Sequence, residues 1–116
     1  MNTTKSYNLS YLEEISGGDK DFVNEMITEF LKEAPIVTLS IETYFKQEKW
    51  SELYAAVHRF APNYDFVGNQ DLKLNISLLE SASKHMRDLE KIDLYIVQIK
   101  KLTAQIIEEL KTDFKL

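Results

Sequence analysis

Ala55-Ala56-Val57-His58-Arg59-Phe60-Ala61-Pro62-Asn63-Tyr64-Asp65-Phe66-Val67-Gly68 is the stretch whose reading decides the fold. It forms the second half of a helix that begins near Trp50. Apolar residues fall at Trp50, Leu53, Val57, Phe60, Tyr64 and Val67, at gaps of three, four, three, four and three. That rhythm is the seam of a helix packed in a bundle. A second line, Tyr54, His58, Ala61 and Asp65, follows the flank of the seam at the same helical spacing. One of only two histidines therefore sits at a core edge, where an imidazole is held in place and still meets a partner. Pro62 follows His58 by four residues, so its ring opposes the carbonyl of residue 58 and opens the backbone there. Gly68 closes the helix.

Outward from this stretch the same period repeats. Residues 1–7 read as a loose lead-in. Ser10 with Glu13 has the spacing of a capping box, and Leu9, Leu12 and Ile15 give a short helix an apolar face. Gly17-Gly18 ends that helix and Asp19 caps the next. Its apolar positions run from Val23 through Met26, Ile27, Phe30, Leu31, Ala34, Val37 and Ile41 to Tyr44 and Phe45. Pro35 lies inside it, which predicts one bent helix over about 20–46, or failing that two abutting helices. A charged turn, Lys46 to Lys49, leads to Trp50. Beyond Gly68, Asn69 caps a fourth helix with Leu72, Ile76, Leu79, Ser83 and Met86 on one face, broadened by Leu78 and Ala82. Arg87 to Lys91 is a polar turn. The last helix carries Ile92, Ile96, Ile99, Leu102, Ile106 and Leu110 and ends near Asp113, leaving Phe114-Lys115-Leu116 as a tail. No run alternates with period two beside turn residues. The expectation is an all-α protein, an antiparallel up-down-up-down four-helix bundle with a short additional N-terminal helix, in one domain over residues 1–116.

Composition agrees and excludes several chemistries. The chain has 116 residues, 44% of them hydrophobic, with only three glycines and two prolines. That is enough for one core and too few turns for a sheet protein. The absence of cysteine removes disulfides, cysteine–zinc sites, iron–sulfur clusters and thiol catalysis. Fourteen basic residues against nineteen acidic ones, net −5, argue against nucleic-acid binding, and Lys100-Lys101 does not reverse this. No membrane span or signal peptide is visible, and a cytoplasmic location is expected. Met1 and the short termini suggest a chain that stands alone.

The chemistry narrows to one side chain. No phosphate-cradling glycine loop is present, since Gly17-Gly18 lacks a following Lys-Ser or Lys-Thr. A carboxylate-bridged metal bundle needs Glu three residues before His, and Ala55 and Ala82 stand there instead. Neither metal nor cofactor is expected. Regular helices do not present a Ser-His-Asp set. His85 reads as an exposed residue, and Trp50, Phe60 and Tyr64 read as core. His58 remains, either as a histidine at the core rim or as a nucleophile, because a neutral ring nitrogen attacks phosphorus well near neutral pH.

Gly17-Gly18-Asp19 followed by Phe22 and Phe30, Trp50 before Leu53, Ala56-Val57-His58, Gly68 ten residues on, and Leu79-Glu80 about twelve beyond that form a spacing set. In these residues, over about 9–110, the chain resembles the histidine-containing phosphotransfer (HPt) domain of bacterial two-component phosphorelays. The resemblance implies the same helical bundle, with His58 as phospho-acceptor. It implies response-regulator receiver domains and a hybrid sensor histidine kinase as partners, a monomer, and a stoichiometric carrier rather than an enzyme. The family usually carries lysine and glycine three and four residues after its histidine; Ala61 and Pro62 stand there here. Arg59, Lys73 and Lys84 are the candidates for the missing cation. Asp65 could orient the imidazole. Tyr54, Ala61, Leu9, Leu12 and Ile15 are the expected partner-binding residues. The alternatives are an HPt-like adaptor that binds receivers or other signalling partners without carrying phosphate, and more remotely a helical domain unrelated to signalling.

Overall fold

The computed structural model describes residues 5–115. They form α1 (Ser10–Ile15), α2 (Lys20–Lys46), α3 (Trp50–Phe66), α4 (Gln70–His85) and α5 (Ile92–Phe114), with a 3-10 turn at Leu89–Lys91 leading into α5. No strand occurs among the described residues, and none of their helices is long and apolar enough to cross a membrane. The four long helices pack as a bundle, α2 on α3, α3 on α4, α4 on α5 and α5 back on α2. The short α1 packs on α2.

The seam of α3 carries the core. Leu53, Val57, Phe60, Tyr64 and Val67 are buried, and Trp50 is half-buried against Phe45. Burial of side chains this size contributes about 1.5–3 kcal/mol each. Phe30 of α2 stacks on Phe60 and meets the edge of Tyr64, at centroid distances of 6.0 and 6.2 Å. Burial pushes the Tyr64 phenol up to about 12. Both internal prolines are absorbed: α2 runs unbroken through Pro35, without a second abutting helix, and α3 through Pro62.

The helix ends follow from particular side chains. Asp19 Oδ1 accepts from the amides of Asp21 and Phe22, and Asn69 Oδ1 accepts from Leu72 N at 2.8 Å. The Ser10–Glu13 capping box does not form. Ser10 is already the first helical residue, and its amide donates to Asn8 Oδ1 instead. Met86 is corrected as well. The α4 helix stops at His85, and Met86 turns into the left-handed region at φ 54°, leaving it exposed. Leu78 is also exposed, whereas Ala82 is buried. In α5, Thr103 takes the buried place expected for Leu102, which is only half-buried.

The lead-in is not loose where it is described. Ser6 donates through its amide and its hydroxyl to the two carboxylate oxygens of Glu109, at 2.7 and 2.8 Å. Tyr7 donates to Asp113, and Lys5 pairs with the same carboxylate at 3.2 Å. Asn69 Nδ2 donates to Ser6 O, and Asn8 N donates to Val67 O. Residues 5–8 thus form a strap between the α3–α4 turn and the end of α5. The strap crosses at Gly68, where φ is +62° and a Cβ would lie 2.1 Å from Asn8 O. Residues 1–4 and Leu116 lie outside the described residues.

Candidate functional site

The site grows from the α3–α4 hairpin. The flank of α3 presents Tyr54, His58, Ala61 and Asp65, at gaps of four, three and four. One face of α4 has Lys73, Ser77, Glu80 and Lys84 at the same gaps. The Val67–Asn69 turn folds these rows onto each other in reverse order. His58 meets Glu80, and Tyr54 meets Lys84. Asp65 and Lys73 line one small cavity nearer the turn.

His58 is the exposed centre of this face. Its side chain is 64% accessible, against 24% for Glu80. The imidazole Nδ1 lies 2.8 Å from Glu80 Oε2. A carboxylate only accepts, so Nδ1–H is the donor and the lone pair is on Nε2. The other restraint is Tyr54, one turn earlier, whose ring stacks on the imidazole at 5.3 Å and 16°. Lys84 Nζ lies 5.7 Å from the centre of the Tyr54 ring, within cation–π range. The ring is therefore held on one nitrogen and one face, and its second nitrogen is available to a partner.

The sequence candidates divide. His58, Tyr54 and Lys84 come together. Arg59 does not join them, because one residue on from His58 is about 100° round the helix. It lines a cleft on the α2 side of α3 beside Glu29 and Glu33. Asp65 does not orient the imidazole. Two turns place it about 10 Å along α3, in the cavity with Lys73, Tyr11, Gly68 and Asn69. Lys73 lines that same cavity toward the turn, and Gly68 serves the turn and the strap crossing. Of the expected partner-binding residues, Leu12 is corrected: it is wholly buried, being the residue that anchors α1 to the core. Ile15 is exposed, while Leu9 and Ala61 are half-buried. His85 is exposed, as expected.

Glu80 is the residue that sequence reasoning missed as a partner of His58, although the Leu79-Glu80 pair was in view. A signal existed. Residues 58 and 80 are equally far from Asn69, as are 54 and 84, so an antiparallel hairpin pivoting on Asn69 pairs them. No group of residues suited to holding a metal ion occurs among the described residues.

No family model, curated protein or solved structure matches the chain.

Proposed function

We propose that this protein is a histidine phosphocarrier of a two-component phosphorelay, built on an up-down-up-down HPt-like bundle. The observation that carries the reading is the exposed imidazole fixed through Nδ1 by Glu80. Such a ring attacks an aspartyl phosphate on a receiver domain through Nε2. The Nε2–P bond forms as the acyl P–O bond breaks, and the aspartate leaves as a carboxylate. Nδ1 keeps its proton, so the loaded ring is cationic and Glu80 stabilises it. Reversal of the step onto a second receiver completes the relay. Donor and acceptor are response-regulator receivers, one of them attached to a hybrid sensor kinase. The carrier works as a cytoplasmic monomer, moves one group per cycle and uses no cofactor.

The surface around His58 suits docking. Tyr54 is half-buried and stacks on the ring. An aromatic side chain at that place excludes water from one face of a transferring group.

The test is transfer of label from a phosphorylated receiver, with His58→Gln as control. The expected product is acid-labile and base-stable in the wild type and absent in the variant, whose stability stays within about 0.5 kcal/mol because the ring is exposed. One observation favours the second reading, an adaptor without phosphate. The positions three and four after His58 are Ala61 and Pro62 and carry no cation, and Arg59 lies on the α2 side of α3. Tight receiver binding with no label from any competent donor would establish the adaptor and end the carrier reading.

A further inference from the structure

Loading His58 creates an electrostatic problem that the site must solve. The phosphoryl group brings about two negative charges, next to the carboxylate of Glu80 that holds the ring. The cationic ring offsets one of them. A second positive group is needed within reach, on the face where Nε2 is exposed. Arg59 lies on the other side of α3, and Lys73 lies at the turn end of the hairpin. Lys84 is the cation that the fold brings to the histidine's own stack. It follows Glu80 by one helical turn on the same face of α4. Its ammonium lies over the ring of Tyr54, which itself stacks on His58. It forms no ion pair among the described residues, and its side chain is exposed.

We propose that Lys84 is the catalytic cation of the His58 site, with Tyr54 as its resting place. While His58 is free, the ammonium sits on the aromatic face, a contact weak enough at an exposed position to be given up. When the phosphoryl group arrives, the flexible lysine stem moves the ammonium onto its oxygens, where charge-assisted bonds are stronger. Tyr54 thereby keeps the cation within one side-chain swing of Nε2 without pairing it permanently to Glu80. This inference rests on the phosphocarrier reading and adds to it where the positive charge comes from.

The experiment uses a small phosphoramidate donor, so that receiver docking plays no part. In that reaction the donor P–N bond breaks, the Nε2–P bond forms and ammonia leaves with a proton. Wild type, Lys84→Met and Lys84→Arg are compared for the rate of label uptake and the lifetime of the loaded histidine. Met keeps the apolar stem, and thermal melts establish that the variants fold. Lys84→Met is expected to take label roughly tenfold more slowly or worse, with Lys84→Arg near wild type. In proton NMR, the Lys84 ε-methylene signal should be shifted upfield by the Tyr54 ring in the free protein and lose that shift on loading. Lys84→Met labelling at the wild-type rate, or an ε-methylene signal unmoved by loading, overturns the inference while leaving the carrier reading intact. A wild type that takes no label from this donor or from any receiver overturns both.

Discussion

The two ends of the α3–α4 hairpin are built to opposite rules. At the turn end, a chain of hydrogen bonds ties the elements together. Asn69 accepts from α4 and donates to the strap, and the strap in turn is bound to Glu109 and Asp113. At the other end, His58 bonds Glu80, Tyr54 stacks on His58 and Lys84 lies over Tyr54, and the histidine is largely open to solvent. One end spends its hydrogen bonds on holding the chain, and the other leaves an acceptor nitrogen free. Substitutions at the two ends should therefore read out in different experiments, stability at the first and transfer at the second.

The largest effect on stability should come from Leu12, which ties α1 to the core. Leu12→Ala is expected to cost about 2–5 kcal/mol in urea denaturation, whereas Ile15→Ala, on the exposed side of the same helix, should fall within about 0.5 kcal/mol. Equal costs would mean that α1 does not pack as described. Gly68→Ala comes next. Left-handed backbone costs a non-glycine residue roughly 1–2 kcal/mol, and the Cβ must also push the Asn8 carbonyl aside. A midpoint unchanged by Gly68→Ala would break the contrast, since it would show the strap free to leave.

The smallest effect is the pH dependence of the strap, and its two limits have different causes. Tyr7 and Lys5 hold the Asp113 carboxyl below its ordinary 3.8. The resulting stabilisation is present above that value and is lost as pH falls through the lowered one. Burial, and then the bond to Asp113, raise the Tyr7 phenol from 10.0 to about 12. That contribution is present below pH 10 and is lost as pH rises through about 12. Thermal melts of the wild type against Tyr7→Phe should differ by a constant amount between these limits and converge outside them. A difference that vanishes at neutral pH would show that the Tyr7–Asp113 bond contributes nothing.

The helices were legible in the sequence because each is long and keeps its apolar period. The α3 seam from Trp50 to Val67 is the clearest case, and neither proline interrupted its helix. Helix ends were legible where one residue decides them, as at Asp19, Gly68 and Asn69. They were misread at Ser10 and Met86, where the helix begins or ends a residue away from the expected place. At the site, His58 was visible from its rarity and its register. Glu80 was not assigned to it, because pairing across a hairpin depends on the pivot rather than on local spacing. Asp65 was the carboxylate considered for that role because it shares a helical face with His58, but two turns are longer than its side chain can span. The strap had no periodic signal at all, since four polar residues in extended chain look the same whether bound or free.

The strap has one more consequence, for how the chain could be rewired. Ser6 and Glu109, 103 residues apart in sequence, are in direct contact. The two ends of the described chain therefore leave from the same place. A short linker joining them, with new ends opened between the exposed Arg87 and Asp88, gives a circular permutant that keeps the α3–α4 hairpin continuous. In such a chain α5 would come first and the histidine-bearing hairpin last.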